Sequence, residues 1–425
     1  MRVLFLTIGA VNNFNHSGAY TDLLKKFAKE GHRVYVVGAL EKRNGQATEL
    51  GIEQGINVLR VRVGNITKTN LIEKGISTLT LGYLYKKAID KYWNQLSFDL
   101  ILYTTPPITI ASLVYELKKK YNAYTYLLLK DIFPQNAIDI GILSPTGWKG
   151  IVYRYFKHIE RKLYHISDKI GCMSNANIDY ILKNNREITK DKIELCPNTI
   201  DLVQDSEIHR EDAILEKYKI PKDKYLLLYG GNFGKPQNVD YVIEAIDSCS
   251  DIADVHFILC GSGTEFSKID LYIKSANPKH VSVIDCLLPY EEYSCLVASC
   301  DVGLLFLDYR FTIPNFPSRL LDYMNYGLPV IAATDINTDV GRIIMEENFG
   351  WWVESKNPQE FRNLISSIFE SNPIDDVLQT KSMNARNYLK CNYETSIAYN
   401  TIERAYKTSK VDRRDVYLEQ KRHFR

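Results

Sequence analysis

Two successive series of short, β-branched apolar runs, each run followed by a segment of helical periodicity, constrain this chain more than any other feature. In the first half the runs are VLFLTI (3–8), HRVYVVG (32–38), LILYTT (100–105), TYLLLKD (125–131) and KIGCMS (169–174). Between the first two lies TDLLKKFAKEG (21–31), in which Leu23, Leu24, Phe27 and Ala28 share one helical face and Gly31 marks the end. Another helix is expected near Ile108–Tyr121. The second half restarts with YLLLYGG (225–231), VHFILCGSG (255–263), VSVIDC (281–286), VGLLFL (302–307) and PVIAAT (329–334). Strands that are apolar throughout are covered on both faces, and helices between them force parallel crossovers. The expected fold is therefore α/β, with two doubly wound, Rossmann-like parallel sheets. The boundary falls in the polar stretch after CPNTID (196–201), giving domains 1–201 and 202–399. A last helix of about 400–425 is expected to pack back on the first domain. Ligands of such sheets sit outside the carboxyl ends of the strands, here in a cleft between the domains.

A chain of 425 residues with 45% apolar and 24% charged residues has material for two full cores. Its net charge of +2 conceals a split. Residues 1–200 carry 28 lysines and arginines against 17 acids, whereas the remainder carries 25 against 34. The basic half suits an anionic partner such as a membrane surface or a phosphate-bearing acceptor, or is simply a solvated lysine-rich surface. No nucleic-acid partner is expected. The eight cysteines show neither metal-ligand spacing nor a disulfide framework and read as thiols in a reducing cytoplasm. The opening MRVLFLTIGA reads as a first buried strand and not as a leader, and no apolar stretch is long enough to span a bilayer.

Three loops of the second half follow strands and carry chemistry. The first runs from Gly230 to Asn238: Gly231 lets backbone amides approach an anion, and Lys235 adds a positive charge. The second holds Gly261 and Gly263 but has Phe266 where the dinucleotide fingerprint needs its third glycine, which argues against NAD. The third spans Ile313–Val330. Pro317 and Ser318 open a short helix with free amides, and Arg319 sits in its first turn against the helix dipole, a placement that makes sense for a diphosphate. Asp322, one turn on, is placed to accept hydrogen bonds from ribose hydroxyls, or is a solvated helix carboxylate.

The ordered set GGNFGK, CGSGTE, VIDCLLPYEEYSCLVASCDVGLLFL and PSRLLDYMNYGLPVIAA resembles the donor half of the family-4 glycosyltransferases of the GT-B fold. CPNTID resembles their Pro-Asn-Gly-x-Asp before the second domain, and GAYTDLLKKFAKEGHRVYVV their first helix and second strand. LLLKDIFPQNAIDIGIL is similar to the Asp-x-x-Pro segment of bacterial O-antigen and capsule enzymes, notably the N-acetyl-L-fucosamine transferases. The resemblance implies retaining transfer of a HexNAc or deoxy-HexNAc from a nucleotide-diphosphate sugar, expected to be UDP-linked, to a lipid-linked (polyprenyl-diphosphate) saccharide. It places donor binding on Gly231, Asn232, Lys235 and Gln237 of the first loop, Gly261 and Gly263 of the second, and Cys286 and Leu287 after the third strand. In the third loop it places donor contacts on Asn315, Phe316, Pro317, Ser318, Arg319, Leu320 and Asp322. The family's acid near the donor sugar falls on Pro314, its first-loop Arg on Asn232 and its Lys on Gln237, which leaves Lys235 and Arg319 to neutralise the leaving group.

A departing nucleoside diphosphate gains charge in the transition state, and fixed cations stabilise it. No Asp-x-Asp occurs to hold a metal, so no metal or other cofactor is expected. In the first half, Asp131 at a strand's carboxyl end is placed to orient or deprotonate the acceptor hydroxyl, or to stabilise its loop. His16 is a second catalytic candidate, and Gly18 lets its loop approach the donor. Residues 147–165 read as a helix whose stripe Trp148, Ile151, Val152, Tyr155, Ile159 and Leu163 is either a packing face or, with residues 71–93, an interfacial surface at the inner membrane. A nucleotide-sugar epimerase or hydrolase of the same fold, or a non-catalytic nucleotide-sugar-binding subunit, are the alternatives.

Overall fold

The computed structural model describes residues 1–9, 13–67, 69–370 and 374–423, and of residues 71, 72 and 412–423 the backbone alone. The chain forms two compact units: Met1–Ile138 with Leu143–Asp201 and Thr395–Arg425, and Asp139–Ile142 with Leu202–Glu394.

The first unit holds β1 (Arg2–Leu6), β2 (Arg33–Glu41), β3 (Glu49–Glu53), β4 (Ile56–Val63), β5 (Leu100–Thr104), β6 (Tyr124–Leu129), β7 (Lys169–Cys172) and β8 (Ile193–Leu195) in the order β3-β4-β2-β1-β5-β6-β7-β8. All pairs are parallel except β3 with β4. That antiparallel pair turns through Gln54 and Gly55, both at positive φ, as a two-residue hairpin requires. Below the sheet, Val3, Phe5, Val36 and Leu102 pack against Leu24 and Phe27 of helix Ala19–Lys29. The same core takes in Tyr399 and Ile402 of the final helix, Thr395–His423. Tyr399 meets the Phe27 ring edge-on at 4.8 Å and bonds His32 Nε2 at 3.1 Å. For the basic stretch at the chain's end, side chains beyond Val411 lie outside the described residues.

The second unit holds β9 (Tyr225–Asn232), β10 (Val255–Ser262), β11 (Val281–Ile284), β12 (Val302–Phe306), β13 (Val330–Thr334) and β14 (Gly350–Glu354), all parallel, in the order β11-β10-β9-β12-β13-β14. The strand order reverses between β9 and β12, as it does between β1 and β5 in the first unit. These are the two positions at which a doubly wound sheet opens a crevice at its carboxyl edge. The two parallel Rossmann-like sheets agree with the sequence patterning, although β3, β4, β8 and β14 are not evident from it.

On the other face of the first sheet, helices Leu71–Tyr92, Ala111–Tyr121 and Gly147–Ile166 pack side by side. The stripe on the last of these splits. Leu163 is buried, Val152 and Ile159 are half-buried, and Trp148 (73% exposed), Ile151 and Tyr155 face solvent. The reading of the whole stripe as a packing face is thereby corrected for its first two turns. Ile76, Leu79 and Tyr83 of helix Leu71–Tyr92 are likewise exposed. No helix among the described residues is long and apolar enough to cross a membrane.

Candidate active site

The crevice of the second unit is built by three small residues and three large ones. β12 pairs with β9 only at Val302–Leu227 and Gly303–Leu228. Beyond that point the Tyr323 hydroxyl fills the gap, donating to the Leu228 carbonyl and accepting from the Gly230 amide, both at 3.0 Å. Its ring lies on Gly303, where a Cβ would fall 2.4 Å from it. The Tyr293 ring lies on Gly230 in the same way, with its hydroxyl 2.3 Å from where a Cβ would be. Gly231, at φ +131°, leaves room for the Arg319 guanidinium, which a Cβ there would approach to 3.1 Å. Arg319 stacks on the Tyr229 ring, 4.3 Å from its centroid. Its Nη1 is buried with no hydrogen-bond partner. A cation held in place by aromatic faces and left with a bare donor is suited to an incoming anion.

The remaining first-loop candidates divide. Asn232 is exposed and donates from Nδ2 to Gln237 Oε1 at 3.1 Å, and Gln237 is buried while also accepting the Gly234 amide. Gln237 is thus a loop brace. Lys235 is exposed in the short turn Lys235–Gln237, which is tied to the end of β12 by the Asp308 amide donating to the Pro236 carbonyl at 2.9 Å. Gly261 and Gly263 carry no side chain because the protein's own backbone is in the way: a Cβ would lie 1.8 Å from the Gly231 carbonyl oxygen and 2.0 Å from that of Phe233. Their glycine identity needs no ligand to explain it. Cys286 and Leu287 are exposed beyond β11, the edge strand, two strands away from β9.

In the third loop the expected row of free amides is shortened. Helix Arg319–Asn325 starts with tight turns in which the Leu320 and Leu321 amides already donate to the Pro317 and Ser318 carbonyls. Leu320 is fully buried in the core, so its side chain is no ligand contact. Asn315 is held through its amide by Thr338 Oγ1 at 3.1 Å, and Thr338 is held by the fully buried Asp335. Phe316 packs on Tyr393 at 5.4 Å, Pro317 is half-buried and Ser318 is exposed. Asp322 is half-buried beside Tyr293 and Tyr323. Pro314, in the family acid's place, is buried.

In the first unit, the crevice edge carries Thr7 at the end of β1 and Thr104 and Thr105 at the end of β5. Thr104 Oγ1 donates to Thr7 Oγ1 at 3.3 Å. Thr105 Oγ1 accepts the amides of both Lys130 (3.1 Å) and Asp131 (3.3 Å), fixing the end of β6. Asn136 Nδ2 donates to both Asp131 oxygens at 2.8 and 2.7 Å. Burial nevertheless pushes the Asp131 carboxyl up to about 6, against those bonds and one from the Ile132 amide. Burial also draws the Lys130 ammonium down to about 8. Gly18 caps helix Ala19–Lys29 and His16 is half-buried in the same loop. That loop is held by Asp22, which is fully buried and accepts from Ser17 Oγ, the Gly18 amide and the Asp201 amide. Sequence reasoning passed over Lys130, Asn136, Asp22 and the tyrosines at 229, 293 and 323. Only the chain's high count of 29 tyrosines hints at the last three.

Two parallel Rossmann-like units with open switch points make the fold GT-B. Residues 210–387, most of the second unit, match the family described as Glycosyl transferases group 1. The chain is 23% identical over 317 residues to the probable glycosyltransferase WbjE of Pseudomonas aeruginosa, covering 71% of this chain and 74% of that one. It is 22% identical over 386 residues to the putative colanic acid biosynthesis glycosyl transferase WcaI of Escherichia coli K12, covering 87% and 91%. Among solved structures, sucrose-phosphate synthase from Thermosynechococcus elongatus superposes with a TM-score of 0.73 at 14% identity over 97% of this chain and 100% of that one. HepE of Anabaena, solved in complex with UDP, gives 0.65 at 14% identity over 96% and 100%.

Proposed function

We propose that this protein is a retaining, metal-independent glycosyltransferase of surface polysaccharide biosynthesis. Its second unit holds a nucleotide-diphosphate sugar, UDP-linked and carrying a HexNAc or deoxy-HexNAc, and its first unit holds a lipid-linked saccharide. The observation that carries this reading is Arg319: a buried, unpartnered guanidinium nitrogen at the switch point of a sheet whose sequence matches a glycosyltransferase family. As the bond to the sugar breaks, charge accumulates on the leaving diphosphate, and a preorganised cation in a water-poor crevice stabilises it. Lys235 and the Ser318–Arg319 amides complete the anion's surroundings, and Asp322 takes the ribose.

In the first unit Asp131, with its carboxyl pushed up to about 6, is matched to accept a proton near neutral pH. His16 and Gly18 serve from the neighbouring loop. The exposed Trp148, Ile151, Tyr155, Ile76, Leu79 and Tyr83, among the surrounding lysines and arginines, support a peripheral seat on the cytoplasmic face of an anionic membrane.

The decisive test combines a nucleotide-sugar panel, read by thermal stabilisation, with turnover on lipid-linked acceptors in the presence of a chelator. Donor-specific stabilisation with chelator-resistant transfer is expected. Stabilisation without transfer to any acceptor would leave a nucleotide-sugar-binding subunit, and loss of transfer on chelation would remove Arg319 and Lys235 from their role.

A further inference from the structure

Three carboxylates that tie this fold together are met by cations or by backbone amides. Asp168 accepts from Lys118 Nζ at 2.7 Å and the Thr125 amide at 2.9 Å. Asp308 accepts from Arg310 Nε and the Arg310 amide, and Asp335 from the amides of Asn337 and Thr338. Asp131, at the crevice edge of the first unit, is held differently. Both of its oxygens face one uncharged side-chain nitrogen, Asn136 Nδ2, at 2.8 and 2.7 Å. Besides burial, which pushes this carboxyl up, the groups acting on it are Asn136 and the Ile132 amide, with no charged group among them. The ammonium of Lys130, next in the chain, is influenced by the Cys172 and Cys196 thiols instead.

This arrangement has a cost. Nδ2 faces the carboxylate only with Oδ1 turned away, and Oδ1 is buried without a hydrogen-bond partner. Folded chains rarely leave a buried acceptor unanswered without a use for the geometry that it permits. The segment is also closed by other bonds: the Asn136 amide donates to the Ile132 carbonyl at 3.1 Å, and the Asp131 amide to Thr105 Oγ1 at 3.3 Å. What the side-chain contact adds is a fixed plane for the carboxyl group. A cation there would hold the carboxylate as firmly but would suppress its basicity, whereas a neutral amide gives direction and leaves the basicity in place.

Resting on the glycosyltransferase reading, in which Asp131 is the base, we infer that Asn136 is a positioning residue, whose Nδ2 sets the plane in which the Asp131 carboxylate meets the accepting hydroxyl of the saccharide. As the accepting oxygen bonds to the donor's anomeric carbon, its proton passes to one Asp131 oxygen. The electron pair of the broken bond leaves with the nucleoside diphosphate. The oxygen that takes the proton gives up its share of Nδ2 and the other keeps it, so the carboxyl stays oriented through the transfer.

The test compares wild type with Asn136→Leu, which keeps the bulk and removes the donor, and with Asn136→Asp, which keeps the shape and substitutes a like charge. Aspartate-labelled protein is titrated by carboxyl NMR, which needs no turnover, and transfer to a lipid-linked acceptor is measured across the same pH range. In Asn136→Leu the Asp131 midpoint should rise by about one pH unit. In Asn136→Asp it should rise further, and the rising limb of the rate should follow in each. Well above these midpoints the carboxylate is ionised in every variant, and only orientation still separates them. There kcat of Asn136→Leu should stay roughly tenfold or more below wild type, with donor KM unchanged. Thermal midpoints check the fold, and the near-isosteric Asn136→Asp carries the comparison if Asn136→Leu does not fold. A rate that recovers fully at high pH overturns the inference, and so does a carboxyl midpoint that stays in place. A fall in kcat accompanied by a raised donor KM and a lowered thermal midpoint would make Asn136 a loop staple and overturn it too. Absence of transfer by the wild type with any donor and acceptor would instead sink the transferase reading.

Discussion

The guanidinium of Arg319 lies 4.3 Å from the centroid of the Tyr229 ring, in the space that the missing side chain of Gly231 leaves open. The aromatic face holds the cation and leaves its Nη1 without a partner, so the positive charge is in place before any ligand arrives. Fixed charge of this kind acts more strongly on a transition state than charge that must reorganise.

Arg319→Ala should therefore lower turnover more than it weakens donor binding, the pattern of an interaction strengthened as the leaving group charges. Kinetics with a lipid-linked acceptor, set beside donor affinity from calorimetry, measure both. Equal losses in rate and affinity would reduce Arg319 to a binding group.

Gly231→Ala tests the same contact from the other side. The new methyl would meet the guanidinium at 3.1 Å in a backbone conformation that side chains rarely adopt. A cost of roughly 1–3 kcal/mol is expected in stability, donor affinity, or both, seen in urea unfolding and UDP titration. A variant indistinguishable from wild type in both measurements would show that the guanidinium is free to move.

If Asp322 takes the ribose, as proposed, Asp322→Asn keeps the shape of the side chain and removes its charge. The loss should be about 1.5–3 kcal/mol in nucleoside diphosphate affinity at most, tenfold or more. Unchanged calorimetry would assign Asp322 to the solvated surface.

The Asp131 carboxyl titrates near 6 in the folded protein against an ordinary value of 3.8. The folded state thus holds this proton more tightly than the unfolded chain. Its contribution to stability is complete below about pH 4 and is lost as pH rises through 6. Asp131→Asn should accordingly gain stability over wild type at pH 7–8, on the order of 1–3 kcal/mol, and match it at pH 4. Transfer by the wild type should rise with pH through the same interval if the carboxylate is the base. Urea midpoints at both pH values and a rate profile decide it, and a flat profile with no gain in stability would contradict the assignment.

Tyr323→Phe should cost about 1–3 kcal/mol of unfolding free energy, because the Gly230 amide and Leu228 carbonyl lose their shared hydroxyl. A smaller effect would mean that water enters the gap and replaces it.

Both sheets were legible in the sequence because uninterrupted apolar runs such as TYLLLK and VGLLFL, spaced by helical periods, have few other ways to be buried. The hairpin Glu49–Val63 was not, since ELGIE is an exposed edge strand and lacks the apolar signal that a core strand must carry. Of the site, Arg319 was visible because a cation in the first turn of a helix contradicts local electrostatics. Tyr293 and Tyr323 were invisible because what they do depends on glycines about 20 to 90 residues away in sequence, a relationship that only folding creates. Lys130 was hidden by its own neighbours, ending a run of leucines that reads as core. Gly261 and Gly263 stood out for two reasons at once: close backbone packing, which the structure shows at both, and anion binding both demand glycine, and sequence does not distinguish them.

The fit of Gly230, Gly231 and Gly303 against Tyr293, Arg319 and Tyr323 has an evolutionary consequence. Each of these positions is locked by its opposite number, so single substitutions on either side are penalised and only paired changes pass. The exposed Asn232, Lys235, Ser318, Cys286 and Leu287 carry no such obligation. Drift in substrate preference should therefore accumulate in that outer ring while the floor stays constant. A saturation library scored for folding would show tolerance at the second group and intolerance at the first.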